Sequence, residues 1–145
     1  MSLRKRIFLF LGYVYDLLYR LPLIGDPLVR GINRSIGFLN YRFPYGPRHH
    51  DSIGALRKDL ERLLDMADLD VEIVHQDTKK LELIITRCPY GFCRPEQRGV
   101  CDAAMDMDRA MFGYCGFRLE IDECIPAGAK ACRLSIHKTA GPCRP

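Results

Sequence analysis

Alternating apolar and polar residues mark two pairs of strands, and they constrain the fold of this chain more than any other feature. The segments "VEIVHQ" and "LELIIT" flank the polar turn "DTKK", which predicts a hairpin over residues 71–86. Further on, "FRLEIDEC" places Phe117, Leu119 and Ile121 on one face, and "CRLSIHK" returns with the same alternation. With helical segments before and between these hairpins, the sequence predicts an α+β fold: N-terminal helices, then hairpin-helix-hairpin with a largely antiparallel sheet.

Helical periodicity dominates the chain before the first hairpin. Apolar residues recur at helical spacing over residues 7–21, 28–39 and 53–67. A proline ends the first of these helices, and an Asp-Pro pair predicts that the second begins at Asp26 and turns Arg30 and Arg34 outward. The repeat that would form the apolar face of the first helix consists of Ile7, Leu11, Val14, Leu18 and Leu21.

Charge separates the chain into two parts. Residues 1–50 contain eight Lys or Arg and two Asp, a net charge of +6, whereas the other 95 residues have a net charge of −2. The segment "NYRFPYGPRHH" predicts a linker between them by its Pro and Gly content. We therefore expect a basic amphipathic helical extension over residues 1–48 and a Cys-rich α+β metal-binding domain over residues 49–145. Such helices suit docking to a larger partner protein or a membrane surface, or they cover the domain's own sheet.

The first residues bear on the cellular compartment. Arg4, Lys5 and Arg6 precede the apolar run "IFLFLGYVY" as in a signal peptide, but Asp16 and Arg20 interrupt its continuation and no A-x-A-like cleavage site follows. The run is also much shorter than the roughly 20 residues that span a bilayer. We expect a cytoplasmic protein, peripheral at the membrane at most, with reduced thiols.

The seven cysteines are odd in number, so they cannot all pair within one chain. If one helix joined Cys101 to Cys115, the two would lie about 21 Å apart, which excludes a shared metal site. The following strand runs back beside that helix and brings Cys124 toward the level of Cys101. Five thiols could then gather at one pole of the domain: Cys88, Cys93, Cys101, Cys124 and Cys132.

A cluster of thiolates near a helix start suits an iron-sulfur cluster or a structural zinc ion. We favour an iron-sulfur cluster of the 4Fe-4S type, because five candidate thiolates with no obvious His favour thiophilic metals; zinc is the alternative. Arg87, Arg94 and Arg98 surround the Cys loop and are predicted to offset the negative charge of such a cofactor, unless they form only a solvated basic loop. A disulfide between Cys124 and Cys132, or small unligated strand residues, is the structural alternative.

The segments "RCPYGFC" and "CDAAMDMDRAMFGYCGFRLEIDECIPAGAKACRLSI" resemble the C-terminal half of 4-vinyl reductase-like domains and of thiazoline-carboxylate hydrolase-like bacterial proteins, over about residues 81–138. The resemblance implies zinc bound by hairpin cysteines and an acidic residue, and the binding of small hydrophobic molecules. It supports Cys124 and Cys132 most directly, then Cys101 and Cys88. Cys93 has no counterpart in the family, and no catalytic residue is matched.

The function predicted from these observations is a small metalloprotein with an iron-sulfur cluster, acting in electron transfer or redox sensing with a larger redox partner. A zinc-stabilised module that binds small molecules is the first alternative, and a small hydrolase or reductase is the second. The sequence contains no P-loop, G-x-G-x-x-G or Ser-His-Asp pattern that would indicate nucleotide or nucleophilic chemistry. Nucleic-acid binding is not expected, because the basic part shows no recognised binding motif.

Overall fold

The computed structural model describes residues 2–43 and 50–139, and within them it confirms the predicted α+β fold. Residues 44–49 of the predicted linker and Cys143 lie outside the described residues. The helices and strands are α1 (Leu3–Tyr19), α2 (Gly25–Arg42), α3 (Ile53–Ala67), β1 (Val71–Gln76), β2 (Lys80–Ile85), α4 (Arg98–Ala104), α5 (Asp106–Tyr114), β3 (Phe117–Glu123) and β4 (Cys132–Lys138). A short 3-10 turn at Pro95–Gln97 precedes α4, and another at Ile125–Ala127 lies between β3 and β4.

The strands form one antiparallel sheet in the order β1-β2-β4-β3, so the two predicted hairpins are joined through β2 and β4. In that central pairing Leu83 lies opposite Leu134, and Ile85 lies opposite Cys132. A bulge between Ile73 and His75 shifts the side-chain alternation of β1 and leaves His75 exposed.

One face of the sheet forms the main core with α3 and α5. The inward alternation of the strands supplies this core because successive side chains of a strand point to opposite faces. Cys115, at the end of α5, lies in it as well. The other buried members are Ile53, Leu56, Leu60, Leu81, Leu83, Phe112, Phe117, Leu119, Leu134 and Ile136.

The helix expected over residues 101–115 is broken at Met105, where α4 ends and α5 begins. The last carbonyl groups of a helix have no partner within that helix. Here the Arg109 guanidinium donates a hydrogen bond of 2.9 Å to the main-chain oxygen of Asp102, and so satisfies one carbonyl near the end of α4. The break lets α4 and α5 pack in different directions.

The two N-terminal helices pack on α4 and α5, not on the sheet. Tyr15 of α1 and Val29 of α2 are buried with Phe92 and Val100 in a second apolar cluster. The predicted apolar face of α1 is confirmed only in part: Leu11 and Leu18 pack against this cluster, whereas Ile7 and Leu21 are exposed. Tyr15, outside the predicted face, is buried. No helix of the described residues is long and apolar enough to cross a bilayer.

Arg30 of α2, predicted to point outward, is instead only 25% exposed, whereas Arg34 is exposed as predicted, and both bind carboxylates of α4 and α5. The Arg30 guanidinium bonds Asp102 at 2.8 Å and Asp106 at 3.3 Å, and Arg34 bonds Asp106 at 2.8 Å. The predicted start of α2 is also displaced, because Ile24 occupies the N-cap position and Asp26 bonds Arg30 one turn later at 3.0 Å. These ion pairs join the N-terminal helices to the Cys-rich half.

Candidate metal centre

The Cys-Pro turn at residues 88–91 surrounds the sulfur of Cys88 with main-chain donors. Gly91 donates to the carbonyl oxygen of Cys88 at 3.1 Å and closes the turn, and its φ of 75° lies in the left-handed region that favours glycine. Burial raises the pKa of Cys88, and hydrogen bonding from the N–H groups of Phe92, Tyr90 and Gly91 opposes that rise. Consecutive N–H groups of this kind form a concave site for an anion, here a thiolate.

Helix α1 presses directly on this turn. Gly12 is buried against Tyr90, and a Cβ atom at position 12 would overlap the Tyr90 carbonyl oxygen. Phe92, the residue that follows the turn, is fully buried in the cluster beneath it. The sulfur of Cys88 is thus positioned by a rigid loop held between α1 and α4.

The loop then leads into α4, which carries the second thiol. Gln97 is buried, and its side-chain oxygen accepts hydrogen bonds from the N–H groups of Cys93 and Arg94 at 3.1 and 3.2 Å. This fixes the approach of the loop to the helix. Cys101 lies in α4 and is buried, whereas Cys93 is exposed at the surface of the loop.

The hairpin of β3 and β4 supplies two more thiols. Cys124 follows β3 directly, and Cys132 is the first residue of β4. Between them, the N–H of Ile125 donates to the sulfur of Cys132 at 3.3 Å. Because Cys132 lies opposite Ile85 in the sheet, it is held close to the Cys-Pro turn that begins three residues after Ile85.

Four of the five predicted thiols line one interior cavity of about 380 Å³: Cys88, Cys101, Cys124 and Cys132. Their mutual proximity is visible in the electrostatics of Cys101. Burial, reinforced by the neighbouring thiols of Cys88, Cys132 and Cys124, raises its pKa to about 12. Burial also raises the pKa of Cys132, and the Ile125 N–H opposes this. None of the cysteines 88, 93, 101, 124 and 132 is in a disulfide, so the predicted structural alternative of a Cys124–Cys132 bridge is not present.

The rest of the cavity is mostly aliphatic, aromatic and sulfur-containing. It lies between α3, α5 and the sheet, and Leu60, Met111 and Leu134 contribute to its walls. Asn40, Tyr90 and Asp108 are the polar exceptions. Burial raises the pKa of Asp108 to about 6 and that of Tyr90 well above its ordinary value.

A surface groove meets the thiol pole, our name for the four thiols that line the cavity: Cys88, Cys101, Cys124 and Cys132. Cys101 and Cys124 line this groove as well as the interior cavity, so they form part of the wall between the two. Of the arginines predicted to bind the cofactor, Arg98 lies in this groove. Arg94 lies 3.7 Å from Asp16 of α1, and Arg87 is exposed. The three arginines therefore lie in different surroundings, and their role in binding a cofactor stays a prediction.

Sequence reasoning missed the three polar residues of the cavity. The spacing of Asp108 gave no sign that it lines the cavity, because other charged residues surround it in α5. Tyr90 gave no signal beyond its place beside Pro89 and Gly91 in a turn. The neighbouring Asp106 does not line the cavity and binds Arg30, Arg34 and Arg109.

Over residues 2–43 and 50–139, no three His, Cys, Asp or Glu side chains converge closely enough to hold a single metal ion. A zinc ion binds each thiolate at about 2.3 Å, which requires the sulfur atoms to lie in near contact around one point. By this criterion the thiol pole does not form a zinc site. The ligands of an iron-sulfur cluster lie farther apart, because iron and inorganic sulfide separate them.

The chain matches no protein-family model, and no curated protein shows significant sequence similarity to it.

Proposed function

We propose that Cys88, Cys101, Cys124 and Cys132 hold an iron-sulfur cluster, and that the protein acts in electron transfer or redox sensing. The observation that carries this proposal is the convergence of four thiols, from three separate parts of the chain, at one end of a cavity. Buried cysteines are common as small apolar residues, but four around one space are better explained by a shared ligand.

The main-chain donors around two of these sulfurs support ligation as thiolates. The Ile125 N–H donates to the sulfur of Cys132 at 3.3 Å, and the N–H groups of the Cys-Pro turn oppose the rise in the pKa of Cys88. Such hydrogen bonds stabilise negative sulfur, and in iron-sulfur proteins they help to set the reduction potential. Without a metal the same burial raises the pKa values of Cys88, Cys101 and Cys132, so metal binding would be coupled to the release of protons.

The donor set favours a cluster over a single zinc ion. No His lines the cavity among the described residues. Iron-sulfur clusters are bound by four cysteine thiolates, which is the donor set available here. The groove that reaches Cys101 and Cys124 would give a redox partner access to the site.

Reduced thiols and a redox role fit a cytoplasmic protein that works with a larger redox partner or at a membrane surface. The N-terminal helices would provide the contact, because they cover the thiol pole on one side and face outward on the other. Gly12 of α1 packs directly against Tyr90 in the Cys-Pro turn.

The test is anaerobic purification of the full chain, followed by a visible absorption spectrum and analysis for iron, acid-labile sulfide and zinc. We expect a brown protein with iron and sulfide in equal amounts. Cys132→Ser should lose most of the iron and the visible absorption, because it removes a buried ligand. Cys93→Ser is the matched control, since Cys93 is exposed and lies outside the cavity lining; it should keep both.

A variant that loses iron must still be folded, which far-UV circular dichroism against metal-free wild type would establish. Equal iron contents in Cys132→Ser and wild type would overturn the assignment of Cys132. Iron loss in Cys93→Ser instead would show that the exposed thiol is a ligand. A colourless wild-type protein without iron would end the cluster proposal.

A zinc-stabilised module that binds a small apolar molecule is the second candidate, and the cavity itself favours it. Its volume of about 380 Å³ lies within the range of small-molecule sites, and its walls are largely apolar. One zinc per chain, together with saturable binding of an apolar fluorescent probe, would support this candidate. A hydrolase or reductase activity has no such support and would require a substrate-dependent rate.

A further inference from the structure

Helix α1 has two apolar faces, and only one of them packs against the protein. Gly12 and Tyr15 lie on the packed face. On the opposite face Leu3, Phe10 and Leu17 are spaced seven residues apart and are 74%, 66% and 58% exposed. Residues at this spacing lie on one side of a helix, so the three side chains form a continuous row.

The row continues into the turn between α1 and α2. Leu23 is 98% exposed at this turn and has a φ of 67°, a conformation that is uncommon for residues other than glycine. A polar residue or a glycine would be the ordinary choice at such a position. We call the exposed set the apolar face of α1: Leu3, Ile7, Phe10, Tyr13, Leu17, Leu21, Leu23 and Ile24.

The size of this face indicates a binding surface. An α-helix of 17 residues is about 26 Å long, and exposed apolar side chains follow α1 from its first turn to its end. Contiguous apolar surface of this extent is rare on soluble monomers unless it is covered by a partner. Single exposed leucines need no such explanation, but a row of this length does.

The charges that accompany the apolar face are positive. Arg6 is exposed and lies one turn from both Leu3 and Phe10, and Arg20 is 64% exposed one turn after Leu17. Asp16 is the acidic residue of α1; its side chain is only 18% exposed and is bonded to Arg20 at 2.7 Å. Within α1, the outward surface therefore combines apolar side chains with a net positive charge.

We propose that the apolar face of α1 binds an anionic lipid membrane, with the helix lying in the plane of the interface. This names the partner for the docking role of the proposed function and rests on it, although it requires no bound cluster. Exposed leucines and aromatics would enter the acyl boundary, while the arginines reach the lipid phosphates. Tyr13 suits the headgroup level because its ring is apolar and its hydroxyl is polar.

A second copy of the chain fits this surface less well. A symmetric dimer would bring the same patch against itself, so Arg6 would meet an apolar face with no exposed acidic residue of α1. An anionic lipid surface supplies the opposite charge along the whole helix. Charge complementarity therefore selects the membrane.

The test is sedimentation of the full chain with phosphatidylcholine vesicles, with and without phosphatidylglycerol, at low and high salt. We expect binding to the anionic vesicles, weakened by salt. Phe10→Ser should weaken binding about tenfold or more, since it removes a large exposed ring from the interface. Arg6→Glu should weaken it by a similar factor through charge reversal. Two variants at exposed positions on the sheet side are the controls: Val74→Ser also replaces an apolar side chain by serine, and Lys79→Glu also reverses a positive charge. Both should bind as wild type does.

Failure of the wild-type chain to bind anionic vesicles would overturn this inference, as would equal binding by Phe10→Ser and Val74→Ser. A dimer in sedimentation velocity that Phe10→Ser dissociates would assign the face to a second copy instead. A visible spectrum of each sample separates the two proposals, because loss of vesicle binding with unchanged absorption leaves the cluster intact. Phe10 and Arg6 are exposed, so an unchanged urea midpoint is expected for both variants and confirms their folding.

Discussion

Replacing Asp106 by Asn should loosen the N-terminal helices from the rest of the protein. The Asp106 side chain is only 6% exposed and is bonded to Arg30, Arg34 and Arg109 at 3.3, 2.8 and 2.9 Å. Removing one partner of a buried ion pair costs about 3–5 kcal/mol, whereas an exposed pair contributes about 0.2–1 kcal/mol. The three arginines remain partly in water, so we expect an intermediate loss of about 2–3 kcal/mol.

Urea unfolding at neutral pH, followed by far-UV circular dichroism, measures this loss. Glu61→Gln is the matched control, because Glu61 pairs with Arg57 at 2.7 Å where both side chains are half-exposed. Its effect should be below about 0.5 kcal/mol. If Asp106→Asn destabilised the protein no more than Glu61→Gln, the argument from burial would be wrong. The loss should also persist at high salt, since screening acts mainly on exposed charges.

Two further predictions concern the surroundings of the thiols. Gly12→Ala should destabilise the protein by about 1–3 kcal/mol, because the added Cβ overlaps the Tyr90 carbonyl. Gly31→Ala is the control: the space around position 31 of α2 is open, so this change should be neutral or stabilising by up to about 1 kcal/mol. Equal urea midpoints for these two variants would contradict the close packing of α1. Asp108 has a folded pKa of about 6, raised from 3.8 by burial, so the folded state holds its proton more tightly and stability should fall as the pH rises from about 4 to about 6. The full shift corresponds to at most about 3 kcal/mol, and Asp108→Asn should lack this part of the pH dependence; parallel curves of urea midpoint against pH for variant and wild type would refute it.

The sheet was predictable because apolar and polar residues alternate along much of each strand. Phe117 and Leu119 face the core as their spacing requires, and both predicted hairpins are present. The order of the hairpins in the sheet was not predictable, since β2 and β4 pair through residues far apart in the chain. Local spacing contains no information about such a pairing.

The packing of α1 could not be read from periodicity alone, because apolar residues occur on both of its sides. Tyr15 and Gly12 form the buried side and Phe10 and Leu17 the exposed one. A helix with a single apolar stripe identifies its own buried face, but α1 has two. The outward prediction for Arg30 failed for a related reason. Two of its carboxylate partners, Asp102 and Asp106, lie more than 70 residues away in the sequence.

The gathering of thiols followed from placing cysteines at the ends of predicted elements. Cys101, Cys124 and Cys132 meet because a helix and a hairpin end at the same level, and Cys88 enters through the Cys-Pro turn. Cys93 was included on sequence proximity; it contributes to the raised pKa of Cys88, but it is exposed and does not line the cavity. Whether these thiols bind a metal stays a prediction.

The register of β2 against β4 determines when the thiol pole comes into being as the chain folds. Leu83 pairs with Leu134 about 50 residues later, and the segment between them contains Cys88, Cys101 and Cys124. Non-local strand pairing closes a long loop and is slow compared with the formation of helices and local hairpins. On the ribosome these thiols stay apart until the last strand has emerged. Maturation would therefore be a late event, in which a cofactor is delivered to a nearly finished fold.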